Sequence, residues 1–211
     1  MPENPQACLW DEWHPYRTGV FRGRSVHIGF RLPIVGACDF PYTRELGSEI
    51  TYVWSNQVPT PRTFAQKIAE GKSFATSGPM LFLKVAGRKP GEIITLPAGS
   101  ETTFQVTVRV ASGIYPVRFV ELIVNGWVVE RELFDQPKAA FQMERSVKIS
   151  ESAWVAARTY AGAGTEAHTN PVYVYVGDRL PFNRDSARNI IARLDGSIET
   201  ITNADVLKRL K

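Results

Sequence analysis

The chain has 211 residues, 44% of them hydrophobic and 22% charged, with a formal net charge of +4. Such values suit a globular protein with one good core, or one core and a smaller appendage. They exclude a spanning helix, because no apolar run approaches the roughly 20 residues a bilayer demands. Nor do they favour a nucleic-acid partner: the cations, Arg17, Arg22, Arg24 and Arg31 among them, are scattered rather than interleaved with stacking aromatics. Met1 to Pro5 carries no basic flank or apolar stretch, so the expectation is no secretory signal and, by default, a cytoplasmic protein.

Cys8 and Cys38 are too few for a disulfide framework or a cysteine zinc site, and there are only three histidines, His14, His27 and His168. In chain order, Leu32 to Cys38 predicts a buried strand ending at Asp39, and Ile50 to Trp54 a second. Residues 62–70 predict a helix, capped by Thr60, opened by Pro61 and stopped by Gly71. From residue 73 the period becomes two. Thr102–Val110 sets Phe104, Val106, Val108 and Val110 on one face, with Thr103, Gln105, Thr107 and Arg109 on the other.

Residues 119–124 and 127–130 flank Asn125-Gly126, the strongest short hairpin signal, because both turn positions need positive φ. A two-residue loop sets Val124 opposite Trp127, Leu122 opposite Val129 and Glu121 opposite Glu130. That register makes the glutamate face wet and puts Trp127 in the core. Further strands are predicted at 81–85, 140–149, 154–160 and 172–176, and helices at 185–194 and after Thr202. About seven short strands between turn residues give a mostly β fold, an Ig-like antiparallel sandwich. The expected divisions are an α/β segment over 1–72, the sandwich over 73–180 and a helical segment over 181–211.

Several phrases together resemble PHP-type metallohydrolases of the CehA/McbA group, over most of residues 29–185. Gly71 to Pro79 resembles the junction between the family's metal-binding barrel and its C-terminal β-sandwich. Val124-Asn125-Gly126, Ser152 to Arg158 and Ala167 to Val174 are similar to phrases of that sandwich, and Gly29 to Pro33 with Gly36 to Asp39 to the barrel's end. The resemblance implies a metal-generated hydroxide hydrolysing phosphate or carbamate-type esters. The chain departs from the family: it has no His-x-His, Asp39 is followed by Phe40 and Pro41, and only Asp39 matches a metal-ligand position. One carboxylate does not hold a catalytic metal against water.

The expectation is therefore a non-catalytic module with no cofactor of its own. Zinc or manganese would enter only if another chain or subunit completed the site, with His14 or His27 nearby. Expected partners are a second copy of the chain or an upstream barrel chain, with the C-terminal helices able to fold back over 32–38. His168 and Asn170, in a glycine-rich loop, and Arg158 are the remaining candidate ligand residues. Their bland readings are loop-fixing hydrogen bonds and an ion pair of Arg158 with Glu166 or Asp178. Trp127 or the 161–171 loop could alternatively serve a carbohydrate- or peptide-binding module. No Gly-x-Ser-x-Gly or phosphate-cradling Gly-Lys-Ser/Thr loop occurs at these positions.

Overall fold

The computed structural model describes residues 29–38, 45–184 and, of 185–195, residues 186–188, 190–192, 194 and 195. It is an Ig-like β-sandwich of two sheets packed face to face. The strands are β1 (Ile50–Val53), β2 (Ser73–Thr76), β3 (Met80–Val85), β4 (Ile93–Leu96), β5 (Thr102–Ala111), β6 (Val117–Val124), β7 (Trp127–Lys138), β8 (Ala140–Ile149), β9 (Ala153–Ala161), β10 (Glu166–Thr169) and β11 (Val172–Val176). The smaller sheet runs β3-β5-β8, and the larger runs β1-β2-β10-β9-β11-β4, with β6 on the free edge of β9 and β7 outside β6. All pairs are antiparallel except β4 with β11.

Alternation builds the core. Leu81, Leu83 and Val85 on β3 and Phe104, Val106, Val108 and Val110 on β5 turn inward against Val120, Leu122, Val155, Ala157, Val172 and Val174 of the larger sheet. The residues between them on β5 face out, as the period-two pattern predicts. Three strands escape the sequence pattern: β2, β4 and β10 are each four residues long, too short to show a period. Because β1 pairs along its full length with β2, the larger sheet also runs across the expected division at residue 72.

The hairpin turn forms as predicted, with Asn125 at φ 49° and Gly126 at φ 86°. Its register does not continue. Val124 faces Trp127 and Ile123 faces Val128, but then Leu122 faces Glu130 and Glu121 faces Arg131. Val129 is the extra residue of a β-bulge, and the pairings from Leu122 to Phe119 move by one. This corrects both pairings expected below the turn and frees Glu121 from facing a like charge. Trp127 is also corrected: it is 48% exposed at the tip of an outer strand rather than core.

The helix α1 (Pro61–Ala69) has its predicted signals. Thr60 Oγ1 accepts from the Thr63 amide at 3.3 Å, and Gly71 ends the helix at φ +72°. The apolar run 32–38 does not form a strand. It lies extended over the outer face of the larger sheet, and side chains rather than a neighbouring strand satisfy parts of its backbone. The described residues between 184 and 195 are helical, in accord with the expectation for 185–194. Asp39, Cys8, His14, His27 and the helix expected after Thr202 lie outside the described residues. No described helix is long and apolar enough to cross a membrane.

Candidate functional site

Two constellations gather the polar residues of the larger sheet, both on its outer face. The first is a cross-strand row. The registers of β7, β6, β9 and β10 set Arg131, Glu121, Arg158 and His168 side by side, with Ala75 of β2 next. Glu121 is fully buried, and each of its carboxylate oxygens takes a guanidinium. Arg131 Nε donates to Oε1 at 2.6 Å, and Arg158 Nε donates to Oε2 at 2.6 Å with its Nη2 also paired there.

Arg158 therefore pairs with Glu121, not with the Glu166 or Asp178 that chain proximity suggested. The register of β6 on β9 sets Glu121 opposite Arg158, 37 residues away in the chain, and the bulge in β7 separately brings Arg131 opposite the same carboxylate. Arg158 is 5% exposed, and its Nη1 has no hydrogen-bond partner. A carboxylate shared by two arginines is fixed in place, so the row is a structural clamp across three strands.

His168 is on strand β10 rather than in a loop. Its ring is buried, with Nδ1 2.7 Å from the Thr169 carbonyl oxygen, so Nδ1 carries the proton and donates. Burial pushes its pKa down to about 3; the Thr169 carbonyl opposes this and Arg158 beside it adds to it. The folded histidine thus stays neutral where an unfolded one, with a pKa near ~6.5, takes up a proton. The stability this lends is complete above about pH 6.5 and is lost as pH falls toward 3, at about 1.4 kcal/mol per unit. Urea denaturation across pH 4–7 should show that slope, and His168→Gln should flatten it.

The second constellation stands where one strand breaks. β10 and β11 both pair with β9, but Asn170-Pro171 interrupts them, so β10 continues to β2 while β11 continues to β4. Into the gap the Asn170 side chain, 1% exposed, acts as a substitute strand. Its Oδ1 accepts from the Ile34 amide at 2.7 Å, and its Nδ2 donates to the Ile34 carbonyl at 3.2 Å, the Ser73 carbonyl at 3.1 Å and Ser73 Oγ at 2.8 Å. Gly36 is held likewise by Thr51 Oγ1.

A cleft of about 320 Å³ opens beside this break, lined by Arg31, Glu70, Lys72, Gly91, Asn170 and Tyr173. Its charged groups are already engaged. Arg31 Nη2 donates to the Gly91 carbonyl at 2.9 Å and its guanidinium lies over the Tyr173 ring at 4.8 Å, while Lys72 pairs with Glu70 at 2.8 Å. Burial pushes the Tyr173 phenol up to about 12, so it stays neutral. Gly91 is obligatory: at φ +85° a Cβ there would sit 2.3 Å from the Glu70 carbonyl oxygen. Sequence reading missed Ser73 and Ile34 as partners of Asn170, because they lie 97 and 136 residues away in the chain, and missed Thr51 as the partner of Gly36.

Among the described residues no three histidine, cysteine, aspartate or glutamate side chains converge as metal ligands. That part of the chain does not fit a clustered divalent site, and His168, Asn170, Arg158 and Trp127 do not share one site. His168 and Arg158 are neighbours in the buried row, Asn170 stands at the strand break, and Trp127 is at the hairpin tip.

No protein-family profile and no curated protein matches the chain. Among solved structures it is similar to fibronectin(III)-like modules of CbhA from Clostridium thermocellum, at 14% identity and a TM-score of 0.31, over 45% of this chain and 96% of that one. It is also similar to the sulfur carrier protein SoxY from Chlorobium limicola f thiosulfatophilum, at 16% identity and 0.31, over 46% and 79%. A third is superoxide reductase (neelaredoxin) from Ignicoccus hospitalis, at 19% identity and 0.29, over 47% and 81%. The chain's own two facing sheets and their shared core make it a β-sandwich of the Ig-like kind.

Proposed function

We propose that this chain is a non-catalytic β-sandwich module, related to the C-terminal region of PHP-type metallohydrolases, whose work is to seat neighbouring chain against its larger sheet. The observation that carries this reading is the Asn170 clamp. The polar groups that could have bound a ligand at the strand break instead hold residues 34 and 73 in place. Likewise Arg158 and His168 are buried in an internal row. Supplied with zinc or manganese, the protein should not turn over p-nitrophenyl phosphate or a p-nitrophenyl carbamate ester. Turnover that a chelator abolishes would sink the reading in favour of a metal-dependent hydrolase completed by another subunit.

One observation favours a second reading, a carbohydrate- or peptide-binding module. Trp127 is half in water, with exposed Val129 on the same outer strand. A flat aromatic on a rigid hairpin can stack on a sugar ring or an apolar side chain. Under the first reading Trp127→Ala changes stability by about 0.5 kcal/mol or less and soluble oligosaccharides leave the indole fluorescence unchanged. Saturable quenching that Trp127→Ala removes would establish the second.

A further inference from the structure

β8 closes one side of the smaller sheet and β7 stands outside β6 in the larger, so each shows an edge with no paired strand among the described residues. β8 is the more inviting of the two. It matches β5 along its full ten residues without a bulge and holds no proline or glycine, so it is long and regular. A free edge of that kind is a template on which another strand can pair. Its inward face is apolar at Phe141, Met143, Val147 and Ile149, which alternate with the outward Gln142, Glu144, Ser146 and Lys148. Arg145 breaks the apolar row.

The register shows that Arg145 points between the sheets. It lies opposite Val106, a core residue, and directly opposed residues of an antiparallel pair share a face. On β7, Glu130 lies opposite Leu122 and Glu132 opposite Val120, both in the core, so these carboxylates also turn inward, from the other sheet. The three charges meet across the open side of the sandwich. Arg145 Nε donates to Glu130 Oε2 at 3.3 Å, its Nη2 pairs with Glu132 Oε1, and its Nη1 donates to the Glu144 carbonyl at 2.9 Å. Nearer the corner where β7 leads into β8, Phe134 and Phe141 meet edge to face at 4.7 Å, with the Lys138 ammonium over both rings at 4.7 and 5.0 Å. Side chains thus bridge the two edges where no backbone pairing does.

A strand that added to β8 would set its own inward side chains beside Arg145 and seal the bridge from water. All three charged side chains are now a third to nearly half exposed, and the cost of burying such groups can exceed what their pairing returns. An apolar residue at position 145 would remove that cost and complete the row from Phe141 to Ile149. We infer that Arg145, held by Glu130 and Glu132, guards the β8 edge and keeps it from pairing with the same edge of a second copy of this chain. A second copy is the relevant partner because a solution of the pure protein contains no other chain. The inference goes beyond the reading above, which concerns the outer face of the larger sheet.

Sedimentation velocity and hydrogen exchange on the full chain test it. Arg145→Val should associate roughly tenfold more strongly than the unaltered chain, and exchange over residues 140–149 should slow in the associated form. Arg145→Lys keeps a cation facing the two glutamates and should sediment like the unaltered chain. If the valine variant lacks the native circular dichroism spectrum, Arg145→Gln, neutral but polar, takes its place in the comparison. A natively folded neutral variant that sediments like the unaltered chain overturns the inference. So does association that leaves exchange over 140–149 unchanged, because it uses another surface. An Arg145→Lys variant that associates as strongly as the neutral one would show that the charge is not the guard.

Discussion

Glu121→Ala should destabilise the protein by about 3–5 kcal/mol, the cost of leaving a buried charge without its partner. The buried charge is Arg158, whose guanidinium has Glu121 as its ion-pair partner. Arg131, the other partner of Glu121, is 42% exposed on its side chain and can turn into water, so it contributes little to the loss. Removing the pair together is expected to be milder. Glu121→Leu with Arg158→Met keeps the volume and leaves no charge inside, and replacements of this kind are often close to neutral. The sum of the two single losses should therefore exceed the loss of the double variant by several kcal/mol, a coupling that urea denaturation of the four proteins measures. A loss below about 1 kcal/mol for Glu121→Ala would mean that the row is open to water, as an exposed pair is.

The second large effect is expected at Asn170. Asn170→Ala removes one acceptor and three donated contacts and takes the side-chain partner from the Ile34 amide and the Ile34 carbonyl, while the Ser73 carbonyl keeps the Asn170 backbone amide. At about 1–3 kcal/mol for each group stranded in that way, the expected loss is roughly 2–4 kcal/mol. The loss should be local as well as global. Segment 29–38 depends on this side chain, so limited proteolysis should cut there faster in the variant, while β5–β8 stays protected. Asn170→Asp separates the two halves of the clamp. It keeps the acceptor for Ile34 but sets a carboxylate oxygen against the Ser73 carbonyl, and should be no better than alanine. If Asn170→Asp behaves as wild type, the orientation of the amide described here is wrong.

The contrast between what the residues foretold and what formed is clearest on two strands of opposite sheets. β5 was legible from end to end, because one of its faces packs in the core and the other meets water, and alternation records that difference. β9 was legible only as a strand. Every residue but one from Ala153 to Ala161 is buried, since something covers both of its faces, and a strand buried twice has no alternation to read. The buried ionic row belongs to that second face. Its pairing also hinges on Val129, one residue in a bulge that nothing in the local sequence marks. The hairpin turn was foretold correctly because φ is a local property, whereas Arg131 is brought opposite Glu121 by a bulge three residues beyond the turn. Segment 32–38 shows the opposite failure. Its composition is that of a strand, yet a strand needs a neighbour to bond with, and here Asn170 and Thr51 provide only side chains.

Strand β9 has a consequence for how the polypeptide is made. It is the one strand joined to β6, β10 and β11, and β1, β2 and β4 reach the rest of their sheet only through β10 and β11. During synthesis the first 150 residues can therefore complete the small three-stranded layer, but the large layer has no middle until residues 153–176 leave the ribosome. Until then the edges of β2, β4 and β6 wait unpaired, exposed to mispairing. A stop codon before residue 153 would thus leave the nascent chain without the middle of its larger sheet.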